Sequence, residues 1–195
     1  VSMNQLSNHD HSRFLTRTNG IVGRINTHKP EDASENVRLE IMRQAIMMQL
    51  TLPGAPTVYY GDEVGLCGFT DPDNRRTYPW GNENLELLEY HRYMNKLHRL
   101  RKELRGGSLI KLVSGDGVIG YARMQKDSAS VVIINAGDCE RRIDIPIYLT
   151  GLRYNAAVSR VMCTRPAGYN VGRITYICDN GYLNIHVEPH SGYMF

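Results

Sequence analysis

The feature that most constrains this chain is one apolar helix held between two short β-prone runs. Residues 32 to 52 read as a helix: Asp32 with Glu35 forms a capping pair. Val37, Ile41, Ala45, Met48 and Leu52 recur at helical spacing beside Met42, Ile46 and Leu50, and Met42, Met47 and Met48 read as core filler. Pro53-Gly54 stops the helix. Thr57-Val58-Tyr59-Tyr60 then reads as a strand buried on both faces, and an earlier strand ends at Asn8. The pattern is strand, helix, strand. Two parallel strands and two helices cannot close a barrel, which needs about eight such units. Left open, they leave bare edges that are templates for another chain. The expectation is therefore a piece of a larger fold, with an exposed apolar helix face and self-association through the N-terminal half.

From Gly61 to Asn84 the chain is rich in Gly, Asp, Asn and Pro. Unstructured connections longer than about 12 to 15 residues usually bind something. A second helix is expected from Leu85 to Arg105, stopped by Gly106-Gly107. After Ser108 the character changes to short β-prone runs over 109–113, 118–124, 130–135, 143–149, 174–178, 183–187 and 193–195, with Asn180-Gly181 as a tight-hairpin signal. This reads as an antiparallel β-sandwich over 108–195 following an α/β portion over 1–107. The second portion shows no aromatic platform and no acidic cluster in its sequence.

Composition excludes several classes. The 195 residues are 42% hydrophobic with a formal charge of +3, and the basic residues are scattered, which argues against nucleic-acid and membrane-surface binding. No apolar stretch approaches the ~20 residues that span a bilayer. The chain starts at Val1 with no basic-then-apolar leader, so a natural start or signal peptide is expected to have been removed or never included. Cys67, Cys139, Cys163 and Cys178 lack metal-site spacing; reduced thiols and a cytoplasmic parent are expected, with no cofactor.

Three stretches carry chemistry: the run from Asn4 to Leu15 containing Asn8-His9-Asp10, the run Gly54-Ala55-Pro56-Thr57-Val58-Tyr59-Tyr60-Gly61-Asp62-Glu63, and the loop Gly68 to Trp80 containing Asp71-Pro72-Asp73-Asn74-Arg75-Arg76. By themselves Asn8-His9-Asp10 can merely cap the turn that follows. A metal site at His9, Asp10 and His11 is disfavoured, because adjacent side chains of an extended strand point to opposite faces. Arg13 suits a structural pairing with a loop carboxylate, His11 a solvent position, Tyr59 and Tyr60 packing with satisfied hydroxyls, and Trp80 a buried structural place.

Together, the three stretches resemble the last quarter of the catalytic barrel of the α-amylase family, in particular its neopullulanase and cyclomaltodextrinase branch. The resemblance implies the seventh and eighth units of a (β/α)8 barrel followed by a C-terminal β-sandwich. It implies that Asp10 stabilises the transition state, that His9 and Asn8 bind the sugar being cleaved, and that Asp71 and Arg75 contact glucose units on the non-reducing side. Asp62 and Glu63 are structural in the family. The implied partner is an α-glucan or maltooligosaccharide, cleaved with retention by an enzyme whose nucleophile and general acid lie on strands upstream, so that the 195-residue chain alone is expected to be inactive. The alternative is a non-catalytic α-amylase-like protein that binds or assembles.

Overall fold

The computed structural model describes residues 2–21 and 28–195. The chain forms two compact units, Val1–Leu50 with Gly54–Leu97, and Thr51–Pro53 with His98–Phe195. In the first, β1 (Met3–Asn4) pairs in parallel with β2 (Ala55–Pro56), Met3 opposite Ala55. A Cβ on Gly54, at φ +135°, would sit 2.5 Å from Asn4 Oδ1 and 2.8 Å from the Ser2 carbonyl, so only glycine lets the two strands approach. Both strands stop earlier than expected, at Asn4 and Pro56 rather than Asn8 and Tyr60. The buried Gln49 carboxamide donates to the Asn4 carbonyl (3.0 Å) and the Thr57 carbonyl (2.8 Å), tying both strand ends to the helix between them.

Between the strands lie α1 (Phe14–Arg17) and α2 (Leu39–Thr51). The expected start of α2 at residue 32 is corrected: Pro30–Ser34 is a separate 3-10 turn, with Asp32 Oδ2 accepting the Lys29 N–H at 3.0 Å, and Asn36 at φ +54° divides the two. Met42, Ile46, Met47 and Leu50 of α2 are fully buried, while Ile41, Ala45 and Met48 on the neighbouring apolar stripe stay half-buried. The cover includes α3 (Leu85–Leu100), whose Tyr90 hydroxyl donates to the Arg43 carbonyl (2.8 Å) and whose Glu86 pairs with the Arg43 guanidinium (3.1 Å). Asn84 caps α3 by accepting the Leu87 N–H at 3.0 Å. The helix ends at Leu100 instead of running to 105. Arg101 turns the backbone to φ −96°, ψ 109° before α4 (Lys102–Gly106), and this break lets Arg101 donate to Ser130 Oγ (2.9 Å) while that hydroxyl donates to Glu103 (2.6 Å).

The second unit is antiparallel. A six-stranded sheet runs in the order β3 (Ser108–Gly115), β4 (Val118–Gln125), β5 (Ser128–Asn135), β12 (Ser191–Met194), β8 (Met162–Arg165), β9 (Gly168–Asn170). Two further pairs join β6 (Arg141–Pro146) to β11 (Tyr182–Val187) and β7 (Ala157–Arg160) to β10 (Ile174–Ile177). Ala122, Val131 and Ile133 from the large sheet share one core with Ile145, Leu183, Ile185 and Val187 from the β6–β11 pair. Their period-2 spacing on β11 is the alternation expected of a strand with one buried face. Strands β7, β8 and β9 are absent from the sequence reading. Residues 157–170 mix Ser, Arg, Thr and Pro with apolar positions, and the chain leaves one sheet for the other at Val161, whose N–H bonds the Met194 carbonyl (2.8 Å). The Asn180-Gly181 turn is present, with φ +50° and +87°. It closes an isolated Asp179–Tyr182 bridge and no hairpin, because the flanking strands pair elsewhere.

Candidate active site

The Asn8-His9-Asp10 triplet lies in a turn between β1 and α1. Asn8 Oδ1 accepts the N–H of Asp10 (2.9 Å) and of His11 (3.1 Å), an Asx turn that holds the next two residues outward. Asparagine does cap backbone here, although α1 itself is entered through Ser7, whose hydroxyl accepts the Phe14 N–H at 3.0 Å. The side chains of His9 and Asp10 are well exposed, and His9 Nε2 lies 3.3 Å from Asp10 Oδ1. The opposite-face argument drawn from an extended strand therefore fails: in this turn the two side chains meet. No group of three or more potential metal ligands occurs among the described residues.

A second loop fastens this turn. Asn74, fully buried, donates from Nδ2 to the carbonyls of Asn8 (3.2 Å) and His11 (2.8 Å). Arg75 Nη2 reaches the His9 carbonyl at 3.4 Å, while its Nε pairs with Asp71 Oδ1 at 2.5 Å. Both partners of that ion pair stay about half exposed. The neighbouring Arg76 is turned to structure, with a two-point bond to Asp73 (2.9 and 2.8 Å), whose Oδ2 also accepts the Phe69 N–H at 2.7 Å. Gly68 is required beneath them, since a Cβ would meet the Asp73 carbonyl at 2.5 Å.

Arg13 locks both loops from below. Its buried guanidinium donates to the Asn74 carbonyl (2.9 Å), the Tyr60 carbonyl (2.6 Å) and Asp62 Oδ1 (3.1 Å), with the rings of Tyr59 and Tyr60 at 4.4 and 4.8 Å. Ser7 adds a hydroxyl bond to the same carboxylate oxygen at 2.9 Å. The expected loop carboxylate for Arg13 is thus Asp62, and the Tyr60 hydroxyl is satisfied by the Arg76 carbonyl (2.9 Å). Trp80 contradicts expectation: it is 79% exposed, not buried. The tight turn from Pro79 to Asn82, with Gly81 at φ +79°, carries it outward to a tilted contact with Tyr78, 4.4 Å between ring centres.

Burial pushes Asp62 up from the ordinary 3.8 to about 6, outweighing the opposing pull of Ser7 and Arg13. A carboxyl whose folded pKa is raised favours the folded state when protonated, so its contribution is present below pH 4 and is lost as pH climbs through 6. From pH 7 to pH 4 the 195-residue chain should therefore gain about 2 kcal/mol relative to its Asp62→Asn variant. Urea unfolding at the two pH values measures this, and a pH-independent difference would contradict it.

Sequence reasoning missed Asn74 and Ser7 as site-building residues. Each reads locally as an ordinary turn former, and each acts through partners more than fifty residues away. What the arrangement offers is an exposed carboxylate, an imidazole, and an Asp–Arg pair on two loops joined by Asn74 and Arg75. That set supplies fixed acceptors and donors for a polyhydroxylated ligand.

Comparison with known proteins gives the family. A family model described as the alpha amylase catalytic domain matches residues 1–111. The chain is 31% identical over 153 residues to an amylopullulanase of Thermoanaerobacter thermohydrosulfuricus, covering 72% of the chain and 10% of that protein. It is 33% identical over 137 residues to a cyclomaltodextrinase of Thermoanaerobacter pseudethanolicus, covering 69% and 21%. The chain thus spans about a tenth to a fifth of the length of these curated relatives. The fold matches that of an alpha-amylase from Geobacillus thermoleovorans crystallised with acarbose, at a TM-score of 0.74 and 22% identity, over 97% of the chain and 37% of that structure. On the match over its first 111 residues, the chain belongs to the alpha-amylase family.

Proposed function

We propose that this chain is the C-terminal part of an α-glucan-active glycoside hydrolase of the neopullulanase or cyclomaltodextrinase type, acting with retention. In this reading β1 and β2 are the seventh and eighth strands of a (β/α)8 barrel, and residues 108–195 form its C-terminal β-sandwich. One observation carries it: Asn74 and Arg75 bond the backbone of residues 8–11, so the Asp10 turn and the Asp71–Arg75 pair are built as a single structure. Barrel enzymes keep their chemistry at such strand ends. Asp10 would face positive charge developing at the anomeric carbon. His9, and the Nδ2 of Asn8, would hold hydroxyls of the cleaved sugar, and Asp71 with Arg75 would hold the units before it.

Cleavage with retention uses a nucleophile and an acid/base, two carboxyl groups about 5 Å apart. The turn supplies only Asp10, the electrostatic helper. The purified 195-residue chain should therefore release no reducing sugar from maltooligosaccharide, pullulan or cyclodextrin. Turnover above a vector-only control would contradict this. In a full-length enzyme carrying the chain, Asp71→Ala or Arg75→Ala should cost roughly 1 to 3 kcal/mol of binding per lost charged hydrogen bond. The loss should appear as a raised KM for long maltooligosaccharides and leave minimal substrates little affected. Equal losses for long and minimal substrates would remove the pair from the donor side.

A further inference from the structure

The tyrosines of the second unit are scattered in sequence, yet the fold collects three of them. Tyr148 comes from the 3-10 turn Ile147–Thr150, Tyr154 from the loop after it, and Tyr182 from the first position of β11. They close around the Asn180-Gly181 turn. The Tyr148 N–H donates to the Gly181 carbonyl (3.0 Å), and the Gly181 N–H donates to the Tyr154 carbonyl (2.8 Å). A Cβ on Gly181 would lie 2.7 Å from the Tyr154 ring and 2.9 Å from Tyr148 Cβ, so the glycine is what admits the rings. Tyr148 and Tyr182 stand edge to face with ring centres 5.5 Å apart.

None of the three belongs to the shared core, and Tyr154 is 66% exposed. Beside them, the Asn184 carboxamide donates to the Asp144 carboxylate on the same exposed strand pair. Flat rings that carry hydroxyls, bordered by a carboxamide and a carboxylate, match a ligand with apolar faces and a hydroxyl-bearing rim. A pyranose has that character.

From this juxtaposition we infer that Tyr148, Tyr154 and Tyr182 form a second saccharide-binding site, one that holds an α-glucan chain without cleaving it. The choice of an α-glucan among saccharides rests on the proposed function; the aromatic site does not. Native electrophoresis of the 195-residue chain through gels containing amylopectin tests both separately. The wild-type chain should be retarded. Tyr154→Ala and Tyr182→Ala should each raise the apparent dissociation constant at least fivefold, while Tyr154→Phe, which keeps the ring, should stay within twofold of wild type. Leu109→Ala, at an exposed position of β3 that belongs to neither site, should leave retardation unchanged. Should Tyr182→Ala fail to fold by circular dichroism, the exposed Tyr154 decides alone. Absence of retardation in the wild-type chain overturns the inference, as does retardation abolished by Asp71→Ala but kept by Tyr154→Ala. Equal slowing in gels without glucan, with mass rising with concentration in light scattering, would assign the patch to a second copy of the chain and overturn it too. If a β-glucan such as laminarin retards the chain and amylopectin does not, the aromatic site stands and its α-glucan reading falls.

Discussion

Replacing Asp10 by asparagine in a full-length enzyme carrying this chain should lower kcat about 100-fold or more, with a smaller change in KM. Asparagine keeps the shape and removes the charge. If that charge acts mainly on the cationic transition state, its loss falls on kcat and kcat/KM alike, whereas a residue that merely binds substrate would move KM. The geometry separates this effect from folding. The Asp10 side chain is 66% exposed, with His9 Nε2 3.3 Å from its carboxylate. The turn is held instead by Asn8 Oδ1 and Asn74 Nδ2. A variant with unchanged thermal stability and an unchanged kcat would remove Asp10 from the chemistry.

The largest structural effect is expected at Arg13. Arg13→Met in the 195-residue chain strips three hydrogen bonds from the guanidinium and leaves the Asp62 carboxylate buried beside Ser7 alone. Breaking a buried pair by removing one partner costs about 3–5 kcal/mol, because the remaining charge is uncompensated. Lysine should not rescue it, since one ammonium cannot serve the carbonyls of Tyr60 and Asn74 and Asp62 in the directions the planar fork reaches. The double variant Arg13→Met/Asp62→Leu should recover much of the loss by removing the orphaned charge. Urea denaturation at pH 7 reads both effects. A single variant within 1 kcal/mol of wild type would show that the network does not hold the two loops. The same lesion should loosen the Asp10 turn, because Asn74, which clamps that turn, is itself held by Arg13.

The parts legible in sequence are those whose cause is local. The stop at Pro53-Gly54, the apolar period of α2 and the alternation on β11 follow from neighbours a few residues apart. What was not legible depends on distant contacts. The clamp by Asn74 spans 63 and 66 residues. The strand ends at Asn4 and Pro56 are fixed by Gln49. The break at Arg101 is explained by Ser130, and the start of α2 by a separate 3-10 turn that a capping pair imitates. Trp80 was expected in a buried place within its loop, while the Pro79–Asn82 turn carries it to solvent. The tyrosine cluster was invisible for the related reason that its members lie 28 to 34 positions from Tyr182 and meet only through the Asn180-Gly181 turn.

The most direct measurement is proton NMR of the anomers released when a full-length enzyme carrying this chain meets maltotetraose, run beside its Asp10→Asn variant. An α-glucan hydrolase acting with retention, with Asp10 in its site, releases the α-anomer first, and the variant slows that release about 100-fold or more. Release of the β-anomer first would contradict retention. An intact, folded protein that leaves maltotetraose, pullulan and cyclodextrin untouched would contradict the enzyme itself, and would make the chain part of a binding protein built on the same fold.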